Sequence, residues 1–275
     1  MKNVLVTGCS TGIGRALAVE LAGRGVRVFA TARRVESLAA LEGPNLVALP
    51  LDVLDPAARA RVIEEVVRRG GSLDVIVNNA GVNVIGPLVE TPLEDIERLF
   101  ETNVLATIAM IQLAFPHLAA SRGRVVNLGS VIGLLPSPFS ASYCASKSAV
   151  HMLSDVLRLE LAPFGIDVVT VQPAAVRSEI EDRAAAGLDA YLSAGSRYRA
   201  FAAGLRRRVE RPKQDPVSAE DYARLVATSI LAEKAPRVVG GGRGAGLFRA
   251  AARLPPAVRD FFLAREFGLH RPAGG

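Results

Sequence analysis

The chain has 275 residues, half of them hydrophobic, with no tryptophan and a formal charge of +6. That length suits one large α/β domain, which hides roughly three quarters of the surface its unfolded chain would expose. The basic residues are spread along helical stretches, with one denser run at Arg197 to Lys213. Only Tyr198 and Phe201 fall within that run, and neither nucleic-acid-binding motifs nor H-x-x-x-H or C-x-x-C spacings occur, so no nucleic-acid partner and no metal site is expected.

Met1-Lys2-Asn3 leads into Val4, Leu5 and Val6, an apolar run too short for a signal peptide. No apolar stretch of membrane-spanning length is evident further on, so a soluble protein without an integral membrane segment is expected. The run stops at T-G-C-S-T-G-I-G, and a helical pattern (Ala16, Leu17, Val19, Leu21) follows. Strand, glycine turn, helix is the setting of a dinucleotide phosphate site. Gly8 permits the tight turn, Gly12 lets the backbone approach a pyrophosphate, and Gly14 lets helix and strand pack closely. The unpaired amides and positive dipole end of the helix then face the phosphates. Cys9 lies in this loop and Cys144 in a later motif; two such thiols make no disulfide framework and point to a reducing cytoplasm.

Gly25 closes the first helix and Val26 to Thr31 reads as the second strand. A site for NAD places a carboxylate about 20 residues beyond the glycines. Here that position holds Thr31, Ala32, Arg33 and Arg34, with no acid before Glu36. A guanidinium grips a 2′-phosphate, so Arg33 favours NADP(H).

Leu46 to Leu51 gives a third strand, followed by Asp52 and Val53, and Asp55-Pro56 starts a helix that Gly70-Gly71 ends. Leu73 to Val77 is a fourth strand, with Asn78-Asn79-Ala80-Gly81 at its carboxyl end, where open parallel sheets bind ligands. Thr91-Pro92-Leu93-Glu94 reads as a capping box opening a long helix that reaches about His117 and carries Asn103 in its middle. A buried asparagine there has a use, namely holding a water or a backbone group near a site.

Arg124 to Leu128 is the fifth strand, with Gly129-Ser130 at its carboxyl end. Tyr143 and Lys147 then stand four apart at the start of a helical pattern (Ala149, Val150, Leu153, Val156, Leu157), so both project from one face. A phenol with a pKa of about 10 is a poor acid at neutral pH, and a fixed cation beside it lowers that value. Ile166 to Val171 and Val238-Val239 complete seven strands. The strand–helix alternation predicts one doubly wound parallel sheet with helices on both faces, in a single α/β domain.

Across about residues 1 to 240 the chain resembles the short-chain dehydrogenase/reductase family. The matching motifs are Thr7 to Gly14, Asn78 to Gly81, Asn103, Ser130, and Y-C-A-S-K at Tyr143 to Lys147. The resemblance implies a Rossmann fold and hydride transfer between nicotinamide and a carbonyl or secondary alcohol. In that reading Tyr143 exchanges a proton with the carbonyl oxygen and Ser130 hydrogen-bonds the same oxygen. Lys147 lowers the tyrosine pKa and holds the nicotinamide ribose, while Asn103 keeps a proton-relay water. Asp52 and Val53 match the adenine-contacting pair, and Asn79 a contact near the ribose. Ser10, Thr11, Ile13, Ala80, Gly81, Pro173, Val176 and Ser178 complete the cofactor residues implied. One departure stands out: the family's Pro-Gly is Pro173-Ala174 here, and alanine takes positive φ less readily than glycine.

Residues 174–217 fall where the family builds a substrate lid. Leu188, Tyr191, Leu192, Tyr198, Phe201 and Leu205 stand there among arginines. The segment reads either as a clasp for a lipid-like ketone with an anionic head or as an amphipathic helix with a solvated face. The extension 244–269 carries Phe248, Leu254, Val258, Phe261, Phe262 and Phe267. It reads as a pocket wall or a subunit contact, ahead of a peripheral membrane contact. The expected activity is NADP(H)-dependent reduction of a hydrophobic, steroid-, retinoid- or acyl-lipid-like carbonyl compound, with an NAD-linked alcohol dehydrogenase or a non-catalytic NADP(H)-binding regulator as alternatives. By family analogy, the long helices assemble a homodimer or homotetramer.

Overall fold

Strands that read as unbroken apolar runs need cover on both faces, and the computed structural model supplies it. It describes residues 1–270 except 42, 178 and 186. Strands β1 (Asn3–Val6), β2 (Arg27–Ala32), β3 (Leu46–Pro50), β4 (Val75–Asn78), β5 (Arg124–Leu128), β6 (Asp167–Pro173) and β7 (Val238–Gly241) form one sheet in the order β3-β2-β1-β4-β5-β6-β7. Every pairing is parallel. The strand order reverses between β1 and β4, which opens a crevice at their carboxyl ends.

Successive side chains of one strand serve opposite cores. Val4 and Val6 of β1 pack with Leu17 and Leu21 of α1 (Gly12–Gly23) and with Tyr222, Val226 and Ile230 of a later helix (Ala219–Leu231). Leu5, between them, faces Val62 and Val66 of α2 (Pro56–Gly70) and Met110 and Leu118 further along. Asp55 caps α2 as expected, accepting from Ala57 N at 2.8 Å, and Gly71 ends it in the left-handed region.

The next helix departs from expectation in three ways. It starts at Leu93 rather than behind a Thr91 capping box, because the Thr91 hydroxyl donates back to Pro87 O at 2.9 Å. It is not uniform: α3 (Leu93–Phe100) passes through a π-helical turn (Glu101–Leu105) into α4 (Ala106–Ser121). And Leu93–Ser121 contains an 18-residue window of mean hydropathy 1.6, long and apolar enough to cross a membrane by composition, which the sequence reading passed over. Here Met110, Ile111, Ala114 and Leu118 cover the sheet.

Helix α5 (Ala141–Leu161) lies beside it. A buried polar ladder ties α5 to the sheet: Asn78 Nδ2 donates to Asn127 Oδ1 at 2.8 Å, and Asn127 Nδ2 to Ser154 Oγ at 2.9 Å. After β6 come the short helices α6 (Ile180–Ala185) and α7 (Leu188–Leu192), then α8 (Ala202–Glu210) and α9, the Ala219–Leu231 helix already met. Two more, α10 (Ala245–Ala251) and α11 (Pro256–Glu266), follow β7. A small separate core joins Phe139, Tyr191, Leu205 and Phe267, so lid and extension pack on each other and on the loop before α5.

Candidate active site

The loop between β1 and α1 is held by backbone geometry and by Asn79. Gly8 has φ +73°, and a methyl there would sit 2.8 Å from Ala80 Cα. A methyl on Gly14 would meet Asn79 Nδ2 at 2.2 Å and Gly8 O at 2.5 Å, so helix and loop close up only around glycine. Asn79 Nδ2 donates to Thr7 O and Gly8 O at 2.8 and 3.0 Å. Its amide is therefore spent on the loop, so what it contributes directly is the shape of the turn. Thr7 completes the weld: its hydroxyl oxygen accepts from Asn79 N and Ala80 N, both at 3.0 Å. The sequence reading gave Thr7 no role of its own, although a threonine just before the first glycine was visible.

The N-terminus of α1 is left open. Thr11 is the N-cap without a side-chain cap hydrogen bond, and the first turn carries no acid. These amides fit a pyrophosphate, with no acid in the first turn to repel it. The crevice above is a cavity of about 820 Å³ lined by Gly8, Ser10, Thr11, Ile13 and Gly14 on this side, and by Arg33, Asp52, Val53, Asn79, Ala80 and Gly81 around the strand tips. Arg33 is exposed just past the end of β2. Asp52 accepts from Leu54 N at 3.0 Å, which shapes the wall beside Val53.

Ser130, Tyr143, Lys147, Pro173 and Val176 line the same cavity. Tyr143 and Lys147 are 8% and 5% exposed, and Lys147 Nζ lies 5.7 Å from the Tyr143 ring centroid. Nζ donates to Leu128 O at 2.7 Å, and burial brings the ammonium down from its usual range to about 8. Ser130, in extended backbone at the tip of β5, is held loosely. Its Oγ accepts from Ile132 N at 3.3 Å and donates to Pro173 O at 3.4 Å. A hydroxyl on two such long bonds turns readily toward a better partner.

Asn103 and Gly12 do not line the cavity. Asn103 sits behind its wall in the π turn, gripping Val82 both ways: Oδ1 accepts from Val82 N and Nδ2 donates to Val82 O, each at 2.9 Å. Nδ2 also donates to Ser146 Oγ at 3.1 Å. A methyl on Gly81 would stand 3.2 Å from Asn103 Oδ1 and 3.8 Å from Lys147 Nζ, so the three positions share one small volume. Ala174 avoids positive φ, and its N–H donates to Gly241 O at 2.9 Å. The turn thus suits alanine, and the departure from Pro-Gly costs no strain. Ser178 lies outside the described residues. Cys9 is fully buried with its thiol donating to Val6 O, and burial pushes its pKa to about 12, which keeps the thiol protonated at neutral pH.

His151 was not foreseen as part of the site. It follows Lys147 by one turn, and its Nε2 accepts the Ser130 N–H at 3.3 Å. The Tyr143, Lys147, His151 spacing was the available signal.

Residues 2–188 match the family model described as short chain dehydrogenase. An NADPH-dependent 1-acyldihydroxyacetone phosphate reductase of Schizosaccharomyces pombe is 35% identical over 258 residues, covering 92% of this chain and 83% of the relative. A short-chain dehydrogenase structure from Streptomyces avermitilis superposes with a TM-score of 0.79 at 30% identity, covering 98% of both chains. A serine dehydrogenase in its closed form with NADP+ has a TM-score of 0.75 at 25% identity, covering 87% of this chain and 94% of its own. An open glycine-loop helix, a paired tyrosine and lysine, and a serine at the tip of β5 share one crevice, and the chain that builds them belongs to the short-chain dehydrogenase family of oxidoreductases.

Proposed function

We propose that the chain uses NADPH to reduce the carbonyl group of a hydrophobic, acyl-lipid-like ketone or aldehyde, with Tyr143 as general acid. The observation that carries this reading is the joint lining of one cavity by Ser130, Tyr143 and Lys147 and by the uncapped start of α1 with Arg33. The name of the fission-yeast relative, which pairs NADPH with an acyl ketone phosphate, supports both halves of it.

The main-chain amides at Ser10 to Gly14 would hold the pyrophosphate, Arg33 the 2′-phosphate, Asp52 and Val53 the adenine side, and Lys147 the ribose next to the nicotinamide. NADPH, when bound, supplies the hydride that goes to the carbonyl carbon. The chain supplies the rest. Tyr143 gives its phenolic proton to the carbonyl oxygen as charge develops there, and regains one from solvent. Ser130 Oγ leaves its long contact with Pro173 O and donates to the same oxygen. Lys147, still mostly cationic at pH 7, stabilises the phenolate that Tyr143 becomes.

Replacing Tyr143 by Phe should lower kcat between about 100- and 10,000-fold, while NADPH binding, followed by nicotinamide fluorescence, is kept. Replacing Arg33 by Ala should weaken NADPH about 10- to 100-fold and leave NADH unaffected, as the loss of a charge-assisted contact predicts. Turnover that survives Tyr143→Phe, or wild-type protein that binds NADH more tightly than NADPH, sinks the reading. We also propose that two copies join through the apolar residues left exposed on α4 and α5, among them Leu113, Met152, Val156 and Leu159.

A further inference from the structure

Helix α11 spans eleven residues and buries none of them. Its two sides differ. Leu263, together with Phe267 just beyond the helix, packs into the small core of lid and extension. On the outer side Val258, Phe261, Phe262 and Arg265 follow one another at helical spacing, and Phe261 and Phe262 are 54% and 61% exposed. The two rings pack edge to face at 5.6 Å, and the Arg265 guanidinium lies 4.9 Å from the Phe261 centroid. Exposed paired phenylalanines are rare on a surface that meets only water.

Charge says what would cover them. The acids nearby are matched: Asp260 pairs with Arg259 at 3.5 Å and Glu266 with Arg211 at 2.7 Å. Arg253 and Arg265 form no ion pair with a carboxylate among the described residues. The excess is positive, beside an apolar stripe, on a chain of net charge +6. The neighbouring helix adds position. Leu247 of α10 is 68% exposed and also lines the large cavity, with Phe248 next to it, so the cavity opens where the extension begins.

We infer that α11 docks on an anionic phospholipid surface and brings the opening of the cavity to it, so that apolar substrate enters from the lipid side. Rings at the level of the head groups, with arginines beside them, suit such a surface, and the attraction falls as salt screens it.

Flotation of the full chain with vesicles tests this. Wild-type protein should float with phosphatidylserine–phosphatidylcholine vesicles and bind at least about tenfold less to pure phosphatidylcholine or at high salt. The Phe261→Glu, Phe262→Glu double variant should bind at least about tenfold less, yet reduce a small water-soluble carbonyl compound at the wild-type rate. Arg253→Ser with Arg265→Ser should remove most of the preference for phosphatidylserine. Tyr143→Phe should float like wild type, which separates this inference from the proposed chemistry. Wild-type protein that stays unbound with phosphatidylserine vesicles overturns it. So does a double variant that floats as before but falls to a smaller mass in light scattering, which would assign the stripe to a second copy.

Discussion

His151 shows how much one buried nitrogen constrains. The Ser130 N–H donates to Nε2, so that nitrogen is bare and the ring proton sits on Nδ1, which is buried and has no partner among the described residues. A proton added to Nε2 would face a donor with another donor. Burial already holds the imidazole down to about 4, helped by the Lys147 charge and opposed by Asp155. The unfolded chain takes up that proton near 6.5 and the folded one only near 4, so the unfolded state binds more protons between them. Stability present above pH 6.5 is therefore lost as the pH falls toward 4, by up to about 3 kcal/mol. Urea unfolding across this range should show the loss in wild type and a flatter curve in His151→Gln. An equal acid slope in the variant would move the cause elsewhere. Tyr143 and Lys147 were legible because their relation is local, four residues on one helix. His151 continues the same stripe, but its role depends on an amide 21 positions away in sequence, and no spacing rule reports that.

Among the elements, the strands were read to within two residues at each end, because unbroken valine and leucine runs between glycine turns leave few other options. The π turn at Glu101–Leu105 was not, since one extra residue in a long helix barely changes the apolar period. Its effect is to aim Asn103 at Val82. The Thr91 cap failed for a reason equally hidden: its hydroxyl had a nearer acceptor in Pro87. Arg124 is a further case. Read only as a strand start, it reaches from β5 to the end of α9, where no basic residue of the helix itself serves the last turn. Its guanidinium donates to Ile230 O, to Ala232 O at 3.1 Å and to Glu233 O at 3.3 Å, and pairs with Asp167 at 2.8 Å. Replacing Arg124 by Met strands those carbonyls and should cost about 3–5 kcal/mol in chemical denaturation. Asp167→Asn, at the half-exposed partner, should cost less than about 1 kcal/mol. Equal costs would mean that the ion pair, not the helix end, is what Arg124 serves.

At the scale of the whole molecule, three segments distant in sequence close over the cavity. Phe139, in the loop before α5, holds φ +64°, a conformation that costs a non-glycine residue about 1–3 kcal/mol. Its carbonyl accepts from Gly86 N at 2.9 Å, which helps to fix it. That conformation sets the ring 6.2 Å from both Tyr198 and Phe267, while Gly204 of α8 admits the Phe267 carbonyl where a methyl would stand 2.2 Å away. The aromatic content of lid and extension was plain in the sequence. Their meeting was not, because apolar spacing shows that a helix has a face and not which surface takes it. Phe267 is 1% exposed and also lines the cavity, so it joins the extension to the site. Truncating it to Ala should loosen the extension and leave the glycine loop and Tyr143 as they are. For a long-chain apolar ketone, kcat/KM should fall at least about tenfold, as expected when a buried aromatic wall worth about 3 kcal/mol or more is removed. For a small water-soluble ketone it should hold within about twofold, and NADPH affinity should not change. The ratio between the two substrates is the decisive reading. If both fall together, the cluster supports the catalytic loop as a whole; if only the long-chain substrate suffers, Phe267 is part of the surface that holds its apolar chain.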